Sequence, residues 1–163
     1  MTANHAILSS PEPSYLFTPM NIKVRFLNEN AHIPTRGSED AAGYDLYACI
    51  EKEITIPPHS TAKIGTGLSF ELPKGTFGAI YPRSGLATEQ GLRPANCVGV
   101  CDSDYRGEYI VAVHNDSDIH QTIIPGERIA QLILTPYIPM TFEVVEELSE
   151  TNRGAGSFGS TGK

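Results

Sequence analysis

The chain has 163 residues, the size of one globular domain, and its 40% apolar content is enough for a core without disulfides or a structural metal. Twelve basic against nineteen acidic side chains give a formal charge of -7 and a pI near 5.1, which excludes the basic footprint of a nucleic-acid binder. Fifteen glycines and twelve prolines suit short strands joined by turns better than a helical bundle.

Residues 1–19 carry no Lys or Arg and are broken by Pro11, Pro13 and Pro19. They lack the regions of a secretory signal and are expected to be a disordered leader. From there the chain reads as strands. Ile22–Leu27 alternates, with Ile22, Val24 and Phe26 on one face and Lys23 and Arg25 on the other. Further strands are expected at Tyr44–Ile50, Glu53–Ile56, Ala62–Leu72, Phe77–Tyr81, Tyr109–Val113, Gln121–Ile124, Arg128–Leu134 and Thr141–Val145, separated by Pro and Gly turns. One brief helix is expected from near Ser84, a candidate N-cap, to a stop at Gly91. This spacing suggests a sandwich or barrel. The longest apolar runs reach about five residues, as at Tyr109–Val113, where a membrane helix needs about 20. Cys49, Cys97 and Cys101 are odd in number and match no zinc spacing, so they read as reduced, mostly buried thiols of a cytoplasmic protein.

Two motifs lack their context. Gly154–Gly159 satisfies G-x-G-x-x-G, but the chain ends four residues later, with no room for the helix of a dinucleotide site. Asp102-Ser103-Asp104 resembles the start of a calcium loop, yet Arg106 occupies the next ligand position. Two polar segments are more informative. In Tyr81-Pro82-Arg83-Ser84-Gly85-Leu86-Ala87 a strand stops at proline, an arginine supplies a forked cation and Ser-Gly opens a helix. That combination would hold phosphate, or would equally make a capped turn with a surface arginine. Asn96–Tyr109 reads as a long hairpin whose tip carries two acids and a tyrosine, which would also suit a solvated turn.

Taken in order, five segments resemble the motifs of the trimeric dUTPase family. They are Ala41–Ala48, Pro82–Ala87, Gly99–Gly107, Gly126–Leu132 and Arg153–Gly162, within residues 20–163. The resemblance implies an all-β, jelly-roll-like distorted barrel over residues 20–150 with one short helix. It also implies a glycine-rich arm, 151–163, exchanged between the subunits of a homotrimer and closing shared active sites. The implied activity is magnesium-assisted hydrolysis of dUTP to dUMP and pyrophosphate, which keeps uracil out of DNA and supplies dUMP for thymidylate synthesis. A dCTP deaminase of the same superfamily and a nucleotide-dependent regulatory module are the alternatives.

The resemblance also implies roles. Asp102 matches the acid that positions and deprotonates the attacking water. Arg83, Ser84 and Gly85 match the phosphate turn, and Gln131 a residue near the phosphates. Asn96, the backbone of Val100, Cys101 and Asp102, and Ile110 match the uracil-reading segment. Tyr105 matches the ring under the deoxyribose, and Arg153 and Phe158 match arm residues that reach phosphate and stack on uracil. Mg2+ is expected to keep mostly water ligands, with no protein cage. Asp45 is read two ways, reaching a magnesium-bound water or serving the strand structurally. Cys101, where an aliphatic residue is usual, is expected to pack as a small buried hydrophobe, and Ser157 stands where the fifth motif usually has glycine.

Overall fold

Alternation of apolar and polar residues is realised as twelve short strands in the computed structural model, which describes residues 20–157. The expected leader at 1–19 and Phe158 lie outside the described residues. In chain order the strands are β1 (Lys23–Phe26), β2 (Thr35–Arg36), β3 (Tyr44–Tyr47), β4 (Ile54–Ile56), β5 (Thr61–Gly65), β6 (Leu68–Glu71) and β7 (Thr76–Tyr81). After the helix follow β8 (Leu92–Pro94), β9 (Gly99–Asp102), β10 (Ile110–Asn115), β11 (Gln121–Ile123) and β12 (Arg128–Pro136). Their pairings are all antiparallel, in a five-stranded sheet β2-β3-β12-β7-β9, a three-stranded sheet β5-β10-β8 and two strand pairs, β1-β6 and β11-β4. The result is a nearly all-β, jelly-roll-like barrel.

The inward faces supply one core that includes Leu46, Ile56, Ile64, Leu68, Leu92, Val113, Ile123 and Ile129, each no more than 2% exposed. Removing that apolar surface from water is the main force closing the sheets on one another. Ile22 and Val24 pack against this core as the alternation requires, whereas Phe26 at the end of β1 stays 49% exposed.

Four expectations are corrected. The Ala62–Leu72 run is two strands, because Gly67 takes a left-handed φ of 67° and turns the chain from β10 to β1 as its partner. A side chain there would also crowd Ala31 and Cys49, so both conformation and space call for glycine. Thr141–Val145 forms no strand. Ile138, Met140, Phe142 and Val144 keep the two-residue period but are 73–99% exposed, since a strand needs a ladder partner that this part of the chain does not meet. The helix Leu86–Gln90 is a single wide turn of π type, with no side-chain cap. Ser84 therefore is not its N-cap; its carbonyl instead accepts from the Thr88 hydroxyl at 2.8 Å. Gly91 ends the helix as expected, at φ 70° with its N–H on the Leu86 carbonyl. Finally, the thiols are free but not mostly buried: Cys97 is exposed, and Cys49 and Cys101 are half-buried. No helix among the described residues is long and apolar enough to cross a membrane.

Candidate active site

Strands β9 and β10 follow one another in sequence but join different sheets, so the segment read as a hairpin opens into a cleft. β9 is an edge strand, paired only with β7, and half of its backbone groups therefore point away from the ladder. β10 pairs with β5 from Ile110 to His114, while β8 reaches it only from Val113 to Asn115. The space between these open edges is a cavity of about 290 Å³. Of the residues singled out from sequence, Asn96, Val100, Cys101, Asp102, Tyr105 and Ile110 all line it. A planar, polar-edged ring suits such a place, because free amides and carbonyls flank apolar walls: Val100 and Ile110 are 63% and 50% exposed.

Asp102 ends β9 with its side chain exposed at the cleft. Beyond it the loop is tied tightly. The Tyr105 amide donates to the Asp102 carbonyl at 3.1 Å, and the Arg106 guanidinium donates to the carbonyls of Ser103 and Tyr105 at 2.7 and 2.9 Å. Ser69 on β6 clamps the same loop by donating to the Arg106 carbonyl at 2.7 Å. Sequence gave Arg106 only as the residue that spoils a calcium loop; its place in the fold is to hold the Asp102–Tyr105 turn in shape.

Behind the cleft, Tyr109 is 2% exposed and packs between Phe70 and Tyr105, with ring centroids 4.6 and 6.0 Å away. Its hydroxyl is the buried side-chain oxygen without a hydrogen bond among the described residues. Cys101 is its polar neighbour, but the pair lacks hydrogen-bond geometry. Burial pushes the Tyr109 phenol well above its usual range, and burial likewise raises the Cys101 thiol.

The phosphate-turn candidates gather elsewhere. Across the five-stranded sheet, Thr35, Asp45, Gln131 and Tyr81 stand in one row on β2, β3, β12 and β7. Asp45 is buried. Its Oδ1 accepts from Arg83 Nε at 3.0 Å and from Gln131 Nε2 at 3.4 Å, and its Oδ2 accepts from Arg128 at 3.3 Å. Arg83 reaches further, donating to the Arg128 carbonyl at 3.3 Å. One carboxylate thus organises two guanidinium groups and keeps one net positive charge, with Ser84 and Gly85 exposed beside it. That is a basis for holding phosphate. Arg128 was missed from sequence, where it lies inside the fourth motif as an ordinary strand residue; its partner sits 83 positions away.

These two groups do not converge within the chain. Asp102 pairs with Phe77 on β7 while Gln131 pairs with Tyr81, a separation along the strand of roughly 13 Å at about 3.3 Å per residue. Arg153 joins neither: it lies in an exposed turn, its Nε donating to the Gly156 carbonyl at 2.9 Å.

A barrel with a cleft for a flat ring between two sheet edges, and a separate cationic turn for anions, defines a nucleotide-site class of protein. Comparison with known proteins is specific. The dUTPase family model matches residues 29–162. The deoxyuridine 5'-triphosphate nucleotidohydrolase of Yarrowia lipolytica is 49% identical over 145 residues, covering 88% of this chain and 90% of that protein. The protein of the same name from Saccharomyces cerevisiae is 44% identical, covering 86% and 94%. Among solved structures, the Staphylococcus bacteriophage 80alpha dUTPase with dUpNHpp superposes with a TM-score of 0.79 at 28% identity, covering 88% of this chain and 99% of that one. The dUTPase of phage phi11 of S. aureus, described with a structural Mg(II) ion, gives 0.69 at 25% identity, covering 78% and 98%. The chain belongs to the dUTPase family.

Proposed function

We propose that this protein hydrolyses dUTP to dUMP and pyrophosphate. The observation that carries the reading is the cleft between β9 and β10, with Asp102 at its lip, in a chain whose relatives are nucleotidohydrolases of deoxyuridine triphosphate. Its volume of about 290 Å³ suits a base and part of a sugar, not a whole triphosphate, so the phosphates extend outward. Uracil enters between the strands and is read by backbone groups and by Asn96. A cytosine would turn an acceptor into a donor and leave buried groups unpaired, which discriminates strongly. Tyr105 lies under the deoxyribose and leaves no room for a 2'-hydroxyl.

Hydrolysis then needs an in-line water. The water oxygen forms a bond to the α-phosphorus, its proton passes to the Asp102 carboxylate, and the bond to the α–β bridging oxygen breaks to release pyrophosphate. A positioned base of this kind contributes about 10²- to 10⁴-fold, and positioning of the triphosphate supplies much of the remainder. Arg83, Ser84, Gly85 and Gln131 hold the phosphates, with Arg128 beside them.

Magnesium fits as an ion carried by the triphosphate, since Mg2+ keeps several waters and binds through phosphates. Bound there it neutralises charge developing on the leaving pyrophosphate. The donor set favours that arrangement over a protein cage: both Asp45 oxygens are engaged by guanidinium groups, which supports the structural reading of Asp45.

The distance between the cleft and the Arg83 turn supports a site assembled between subunits. Residues 137–148 support it too, with Ile138, Met140, Phe142 and Val144 exposing a strand-period apolar edge. We infer a homotrimer in which the barrel ends before residue 151 and the 151–163 arm, with Arg153 and Phe158, closes a neighbour's site. Free Cys49, Cys97 and Cys101 suit the reducing cytoplasm.

Pyrophosphate release with magnesium from dUTP, dCTP, dTTP and UTP in parallel, with product analysis, tests the reading. Release from dUTP alone, with dUMP formed, is expected. Consumption of dCTP would move the protein to the deaminases, and no turnover of any nucleotide would leave a binding role.

A further inference from the structure

Tyr105 is half-exposed at the rim of the cleft, yet its ring has one place to lie. Its hydroxyl donates to the Glu108 carbonyl at 3.0 Å, and Tyr109 stands behind it at 6.0 Å between centroids. The third boundary is Gly107. A Cβ built there would lie 2.5 Å from Tyr105 Cζ, 2.9 Å from Cε2 and closer still to the hydroxyl oxygen. Those are distances at which something must move. Gly107 does not have the positive φ that reserves a position for glycine, so an alanine at 107 meets no backbone strain there. What it meets is only the outer end of the tyrosine side chain.

We propose that Gly107 is a positioning residue for sugar selection: by having no side chain it lets the Tyr105 ring fold down against its own loop, and that placement excludes ribonucleotides. The inference rests on the reading of Tyr105 as the wall under the deoxyribose. With a methyl group at 107 the ring is lifted from the Glu108 carbonyl and swings about its χ angles. The Asp102–Tyr105 turn keeps its own ties through Arg106 and Ser69. The lost property is thus the location of the wall, and the fold is kept.

The test measures kcat/KM for dUTP and UTP in wild type, Tyr105→Ala, Gly107→Ala and the double variant, with thermal melting of each. Tyr105→Ala is expected to lower the dUTP-to-UTP ratio by at least about tenfold, and Gly107→Ala to lower it comparably while melting close to wild type. In the double variant the methyl group has the space that the ring vacated. It should fold, and should match Tyr105→Ala in ratio, since two changes acting through one ring are not additive. If Tyr105→Ala leaves the ratio unchanged, the sugar-wall reading fails. If Tyr105→Ala collapses the ratio but Gly107→Ala leaves it intact, or if adding Gly107→Ala to Tyr105→Ala changes it again, the role of Gly107 is overturned and the wall stands.

Discussion

At the scale of single residues, the site divides into acids with different tasks. Asp102 is an exposed carboxylate at the cleft, and its replacement by Asn keeps shape while removing the base. Asp102→Asn is expected to bind dUpNHpp about as well as wild type and to lose at least about 10²-fold in kcat; near-normal turnover would remove Asp102 from the base role. Asp45 is buried with two guanidinium partners. Breaking such an arrangement from the carboxylate side destabilises by about 2 kcal/mol when the cations are partly solvated. Asp45→Asn should therefore lower stability in chelator-treated, metal-free buffer, measured by urea unfolding. Unchanged stability there, with a weakened magnesium dependence of turnover, would favour the metal-water role instead.

Tyr109 is the reverse case, a hydroxyl buried without a partner. Tyr109→Phe should raise stability by about 1 kcal/mol, since an unpaired buried hydroxyl costs about 1–3. The pH dependence has a definite sign. The folded protein holds the Tyr109 proton above the ordinary phenol value of 10.0, so its contribution is complete below about pH 10 and is lost as pH rises toward the raised value. Wild type should lose stability in that alkaline range more steeply than Tyr109→Phe, and parallel slopes would refute the assignment.

Among elements, the short strands depend on polar joints as much as on apolar faces. Asn115, wholly buried at the end of β10, donates to the carbonyls of Ile56, Pro57 and Ile119 at 3.0, 3.2 and 2.7 Å. Its Oδ1 accepts from the Ser117 amide and hydroxyl at 2.9 and 2.7 Å. One side chain so fastens β10 to the end of β4 and to the loop before β11. Asn115→Ala leaves several buried groups unpaired and should cost about 3 kcal/mol by denaturant titration; a loss below about 1 kcal/mol would mean water replaces the amide. Strand periodicity made β1, β3, β4, β7, β10, β11 and β12 legible in the sequence. The two-residue β2, the Pro-ended β8 and the split at Gly67 were not, because each exists by virtue of a partner distant in sequence.

For the whole molecule, the apolar edge along 137–148 and the separation of the two residue groups belong to an assembly larger than one chain. A chain ending at Glu150 should keep its melting temperature within a few degrees and lose most of its turnover, because the removed residues carry no part of the core described here. Turnover equal to that of the full chain would exclude a closing arm. The sequence by itself determined the strand-rich class, the helix stop at Gly91 and the residues that meet in the cleft, because side-chain period, turn chemistry and motif order are local properties of the chain. Only the tertiary structure decided that β9 and β10 part company to make that cleft, that Arg128 joins Asp45, and that Gly107 borders the Tyr105 ring. These depend on which strands become neighbours and on how closely side chains pack, and both are fixed by burial of the whole core rather than by any segment alone.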